Sequence, residues 1–478
     1  GEIEAGRLPA RMHVAADYLG VGVSRYLEFL DRKARIDPDT GLAFVPQLNS
    51  MLYPYESDMV RWALRRGRAG IYADCGLGKG PIQMEWATRQ PHECLIAAPL
   101  AVAHQFVREA AKFGIDLAYA KDQSEITKRI TVTNYERLEN FRVEQFGAIA
   151  LDEASILKNS SGAYCTWMIE AFKNTPFRLC SSATPAPNDV MELGTQAEFL
   201  GIMTRGEMLA MYFTHDGGDT SKWRVKGHAQ AAFWSWMASW AVMIRKPSDL
   251  GYSDEGFILP PLHMHEHCIK VDAPSHGFLF AVEAQSLQER QQARRDSIGG
   301  RVKACADIVN ASKEPFLVWC NLNAESEALA EAIPDAVEVS GSDTGAHKEE
   351  SIAGFIVGRI RVLVSKPRIF GLGLNLQHCA DMAYVGLSDS YEQLYQSTRR
   401  CWRFGQKRPV NVHIITAETE GAVVSNIKRK EREANETYDM MIDHMKDLNA
   451  AALHGASLRN KTDYLPEKKM LVPNWIAA

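Results

Sequence analysis

Two short stretches of this chain carry residue types that handle phosphate. The first is Ala73-Asp-Cys-Gly76-Leu-Gly78-Lys79. Glycines at these positions let backbone N–H groups close around an oxyanion, and the lysine reaches the outer phosphates of a nucleotide. The second is Leu151-Asp152-Glu153-Ala154, at the end of an apolar run. Asp152 is placed to organise a magnesium ion, and Glu153 to orient and polarise a water. Together they predict a nucleotide-hydrolysing site of the motor type. A further acidic step, Asp254-Glu255, follows no apolar run and reads as linker.

Such loops need rigid strands behind them. Short apolar runs at 69–74, 94–99, 129–134, 148–152 and 177–184 alternate with helical stretches such as 81–89 and 102–113. The pattern returns at 316–320, 337–340, 362–365, 382–385 and 410–415. Strands alternating with helices predict a parallel sheet covered on both faces, so the reading is α/β with two units of similar size. Glycine, acidic residues and Pro260-Pro261 cluster at 249–261 and mark the boundary. A chain of 478 residues exceeds one typical domain. The expected parts are an N-terminal helical segment (1–45), a first lobe (46–250) with an insert at 201–247, a second lobe (251–445) and a C-terminal tail or brace (446–478).

Composition excludes several classes. Hydrophobic residues make up 46% and charged residues 24%, which suits a soluble globular chain. The formal net charge of −5 confines any nucleic-acid surface to a local patch. Nine scattered cysteines with no Cys-x-x-Cys pair argue for reduced thiols and against a disulfide framework or zinc site. The expected location is therefore cytoplasmic, in a bacterial or phage-infected cytosol. No run is apolar enough to predict a membrane span, and no secretory signal is read at the N-terminus.

Taken in order, these pieces and those that follow resemble superfamily 2 helicases and translocases of the Swi/Snf-type branch, and most closely its compact phage and prophage members. The resemblance runs from about residue 50 to about residue 435. It implies two RecA-like lobes with ATP and magnesium in the cleft between them. Motif I is then Gly76, Gly78 and Lys79, and it departs from the family at Gly80, where Thr or Ser supplies a hydroxyl to magnesium. Motif II is Asp152-Glu153. Ser182-Ala183-Thr184 matches motif III, which couples the nucleotide site to the nucleic-acid track, and Asn188 matches the branch. Tyr55 and Glu56 fall where the family reads adenine with an aromatic and a glutamine; an ionised carboxylate accepts but cannot donate. For Tyr53 and Tyr55 the alternative is core packing. Pro99 and Gln105 (motif Ia) and Asn134 and Tyr135 (motif Ib) are the implied phosphate contacts along a strand, with Glu109 in the same helix.

In the second lobe, Gly371-Leu-Gly373-Leu-Asn375 matches motif V, with Asn375 touching nucleic acid. Gln396-x-x-x-Arg400-x-x-Arg403-x-Gly405-Gln406 matches motif VI. Arg400 and Arg403, three apart, are expected on one helical face with Arg403 as the arginine finger. The implied activity is a nucleic-acid-stimulated ATPase translocating on DNA, most simply duplex. The alternatives are a strand-separating helicase, and a weakly or non-hydrolysing DNA-binding clamp suggested by Gly80. The insert contains Lys222, Arg224 and Lys226, which a strand would place on one face as a wedge or phosphate contact; a small packed subdomain is the other reading. The termini are candidate sites for a protein partner.

Overall fold

The structure is a computed structural model that describes residues 39–160, 162–187, 189–216, 219–270, 294–370 and 375–454. The expected N-terminal helix, Asn188, Gly371, Gly373 and the end of the C-terminal tail lie outside the described residues.

The first lobe is built on seven parallel strands in the order β3-β4-β2-β5-β6-β1-β9. They are β1 (Arg68–Ala73), β2 (Cys94–Ala98), β3 (Leu117–Tyr119), β4 (Ile130–Asn134), β5 (Ala148–Asp152), β6 (Phe177–Ser181) and β9 (Ala241–Ile244). Continuous apolar runs such as Leu95-Ile-Ala-Ala and Ile149-Ala-Leu are buried on both faces, as a helix-covered parallel sheet requires. Helices α1 (Pro54–Arg66), α2 (Lys79–Arg89) and α3 (Leu100–Phe113) pack with the sheet, and α4 (Ala163–Ala171), α5 (Leu193–Leu200), α6 (Arg205–Tyr212) and α7 (Gln230–Trp240) complete the lobe. Glu56 at the third position of α1 accepts the Tyr53 N–H at 2.9 Å, fixing where that helix begins.

The second lobe holds six parallel strands in the order β10-β15-β14-β11-β13-β12. These are β10 (Leu262–Ile269), β11 (Phe316–Cys320), β12 (Ala336–Val339), β13 (Val362–Ser365), β14 (Asp381–Val385) and β15 (Val410–Ala417), joined by α8 (Ile298–Ala311), α9 (Asn323–Ala332), α10 (Gly345–Ile356) and α11 (Tyr391–Thr398). Arg301 is fully buried; it donates to Glu325 at 2.7 Å and lies 3.4 Å from Glu420.

The apolar stretch at 233–243 divides: α7 stops at Trp240 and β9 begins at Ala241, pairing with β1. The insert therefore contributes the edge strand of the lobe 1 sheet. Its hairpin, β7 (Phe213–Asp216) with β8 (Asp219–Val225), is antiparallel. Lys226 donates to Ala210 O at 2.8 Å and Met211 O at 3.2 Å, closing the end of α6, so this cation serves the packed subdomain.

One helix joins the lobes. α12 (Gly421–Leu453) starts with Val423 and Ile427 in the lobe 2 core and ends with Met441, Ile442 and Met445 in the lobe 1 core. Asn449 donates to Ala241 O at 2.9 Å and accepts from Met243 N at 3.2 Å, pairing the open edge of β9. The boundary expected at residue 445 lies within this helix. Among the described residues no helix is long and apolar enough to cross a membrane.

Candidate active site

The glycine loop leaves the end of β1 and turns into α2. Gly76 and Gly78 both have positive φ, +90° and +69°. A Cβ on Gly78 would overlap Glu56 Oε1 at 1.7 Å, and one on Gly76 would press Phe404 of the second lobe at 3.0 Å. Backbone conformation and close approach together require glycine at both positions. The N-terminus of α2 points its positive end at the loop. Lys79 is folded onto the loop, donating to Ala73 O at 2.7 Å and Asp74 O at 3.3 Å.

β5 runs straight into Asp152 and Glu153. Asp152 accepts from Gln83 Nε2 at 2.7 Å, and its backbone carbonyl accepts from the Tyr135 hydroxyl at 2.6 Å. Burial pushes the Asp152 carboxyl above the usual carboxylate range, Gln83, Lys79 and Arg400 draw it back, and Glu109 adds to the rise. Glu153 is the one non-glycine residue with positive φ among the described residues, at 65°. Such strain persists only where surroundings hold it. Here Ser182 Oγ and Ser155 Oγ both donate to Glu153 Oε1, the latter at 2.9 Å. Burial again raises the carboxyl, against the Ser182 bond and Lys79. Ser182 Oγ also accepts the Thr184 N–H at 3.0 Å, and Ala183 is buried between them. Thus one hydroxyl links the Glu153 carboxylate to the backbone of the Ser182–Thr184 turn.

The second lobe supplies Arg400, which is buried, and Arg403, which is half-buried. α11 ends at Thr398, so Arg400 and Arg403 do not share a helical face as their spacing predicts. They lie in the tight turns that follow, where Cys401 sinks into the core and Trp402 Nε1 donates to Pro260 O at 2.7 Å. The closing glutamine holds this turn: Gln406 donates to Cys379 O at 2.9 Å and accepts from Lys407 N and Arg408 N at 3.0 Å. Arg400 donates to Gln396 O at 2.9 Å. Burial lowers its pKa, while Cys75, Glu153 and Asp152 favour its charged form. Arg403 is pushed down to about 10 by burial and then by Arg400. Gln396 is buried, and its Nε2 has no partner among protein atoms.

Sequence spacing alone did not announce the cross-lobe contacts. Arg399 Nη2 bonds Asp74 Oδ2 at 2.7 Å and Cys75 O at 3.1 Å, and the Tyr395 hydroxyl donates to Asp74 Oδ1. Lys158 pairs with Glu392. Between the lobes is a cavity of about 210 Å³, lined by Asp74, Cys75, Gly76 and Leu77 on one side and by Arg399, Trp402 and Phe404 on the other. Tyr55 is buried against Phe257, ring centroids 5.5 Å apart, while Tyr53 is exposed and meets Phe257 and Phe404 edge-on.

The expected nucleic-acid contacts divide. Pro99 caps α3 at the surface end of β2, and Asn375 is exposed. Gln105 donates to Glu109 Oε1 at 2.6 Å. Asn134 and Tyr135 are both buried. Asn134 accepts from the Tyr119 hydroxyl at 2.7 Å, and Tyr135 is the residue that holds the Asp152 carbonyl. Their side chains thus position the strand ends rather than present a surface.

Residues 300–405 match the family model described as helicase conserved C-terminal domain. The matched residues all lie in the second lobe. Over 429 residues the chain is 21% identical to the DNA annealing helicase and endonuclease ZRANB3 of Mus musculus, covering 79% of this chain and 40% of that protein. The chain therefore spans less than half the length of that relative. In fold it is similar to a fragment assigned as an HsdR subunit of a type I restriction enzyme from Vibrio vulnificus YJ016, with a TM-score of 0.50, 14% identity, and coverage of 84% of this chain and 70% of that one. The likeness in fold fits two RecA-like lobes. Gln83, Arg399 and Glu392 join the site without having been expected from the sequence. Gln83 had a signal: it stands four residues after Lys79, on the same face of α2.

Proposed function

We propose that this chain is a nucleic-acid-stimulated ATPase that translocates along duplex DNA by opening and closing its two lobes around ATP. The observation that carries the reading is the meeting of opposite charges across the cleft. Asp152 and Glu153 from the first lobe favour the charged form of Arg400 from the second, and Arg400 in turn favours ionised Asp152. Lys79 would leave Ala73 O for the β- and γ-phosphates; Glu153 would take the attacking water; Arg400 and Arg403 would meet the charge that develops on the γ-phosphoryl group. The donor set fits magnesium, since Asp152 and the unpartnered carbonyl oxygen of Gln83 are hard oxygens on one hydrogen-bonded pair. When bound, that ion would be held by Asp152 and would neutralise phosphate charge.

α12 supports the two-lobe cycle, because closing the cleft must bend or rotate a helix anchored in both cores. Backbone-phosphate contacts carry no sequence information, so little sequence preference is expected. ATP-driven displacement of a third strand from duplex DNA tests the track: displacement that requires ATP supports translocation, and ATP hydrolysis without displacement rejects it.

One observation favours a second reading. Gly80 removes a metal-binding hydroxyl, so the chain would act as a slowly hydrolysing DNA clamp. A Cβ at position 80 would meet only Glu109 Oε2, at 3.3 Å, so a side chain needs a small shift of that carboxylate, and a large rise in turnover on Gly80→Thr would select this reading.

A further inference from the structure

Gly80 is the position in this loop where a side chain is missing rather than forbidden. Its φ is not positive, and a Cβ there would meet a single neighbour, Glu109 Oε2 at 3.3 Å. Glu109 comes from α3, the helix that follows β2. Its other oxygen accepts from Gln105 Nε2 at 2.6 Å, one turn earlier on the same helix. That bond fixes the carboxylate facing α2.

We infer that Glu109 takes over the task of the absent hydroxyl at position 80, as a positioning carboxylate for the magnesium that accompanies ATP. The inference rests on the ATP-site reading above. The chemistry suits a carboxylate acting at one remove. Magnesium keeps several of its waters and is held by one or two carboxylates together with substrate phosphates. Among the described residues no three His, Cys, Asp or Glu side chains converge as an all-protein cage. Glu109, reaching the edge of position 80, can accept from metal-bound water where threonine would bond the metal itself. The two solutions also compete for space, since a Cβ at 80 would press Glu109 Oε2 at 3.3 Å and the carboxylate would have to shift.

A double-mutant cycle tests this with binding, not turnover. Affinity for a fluorescent ADP is titrated against Mg2+, and Mn2+ binding is followed by electron paramagnetic resonance, for the unaltered chain, Glu109→Gln, Gly80→Thr and the double variant. Glu109→Gln should weaken the metal midpoint about 10-fold in the chain carrying Gly80. In the Gly80→Thr background the same change should have little effect. Affinity without divalent metal should be equal in the unaltered chain and Glu109→Gln. Equal metal midpoints in those two, or the same loss in both backgrounds, would overturn the role. Failure of every variant to bind nucleotide, with or without metal, would overturn the ATP-site reading and this inference with it.

Discussion

Glu56 stands where a carboxylate is least comfortable. It is buried beneath the glycine loop, with its Oε1 in the space that a Cβ on Gly78 would need. Burial pushes its pKa up to about 7, against the bonds from Tyr53 N and the Tyr55 hydroxyl. The folded state thus holds a proton that the unfolded chain releases near pH 4. Stability from this group is full at low pH and is lost as pH rises toward 7, a loss of at most about 3 kcal/mol. Glutamine keeps the helix cap and removes the charge. Glu56→Gln should therefore raise the melting temperature clearly at pH 8 and much less at pH 5. An equal gain at both pH values would contradict the assignment.

At the scale of elements, the strands that aim the chemistry were legible because parallel strands buried on both faces are uninterrupted apolar runs. β1 and β5, which deliver the glycine loop and Asp152, lie within a residue of where those runs predict. Edge elements were less legible. β9 hides in the same apolar stretch as α7, with no polar break between Trp240 and Ala241. β10 reads Leu-His-Met-His-Glu-His, because an edge strand half open to water needs no apolar run. A spacing of three fits a helix face and a tight turn equally, so the turn holding Arg400 and Arg403 required the packing of Cys401 and Trp402 to be seen. Arg301 joins α8 and α9 to the turn before α12 through Glu325 and Glu420. Arg301→Met strands Glu325 and Glu420 in the core and should destabilise this lobe by about 3–5 kcal/mol, seen as a denaturation midpoint shifted to lower urea. A midpoint unchanged would mean that water reaches the pair.

In the whole molecule, the contacts that close the cleft join residues 325 and 234 positions apart, Arg399 to Asp74 and Lys158 to Glu392. No local pattern predicts such partners; they follow only once two sheets face each other. They also bring the lobes together through protein atoms alone. Arg399→Ala should let the nucleotide-free chain open, raising its radius of gyration in solution scattering. An unchanged radius would assign closure to α12. The central claim is that one hydrolytic site is assembled from both lobes. Steady-state ATP hydrolysis with magnesium, measured without polymer and with duplex DNA, single-stranded DNA and RNA, tests it on the unaltered chain, Glu153→Gln and Arg403→Ala. The account predicts stimulation greatest with duplex DNA and losses of about 10²-fold or more in each variant. Polymer-stimulated turnover that survives both substitutions would contradict it.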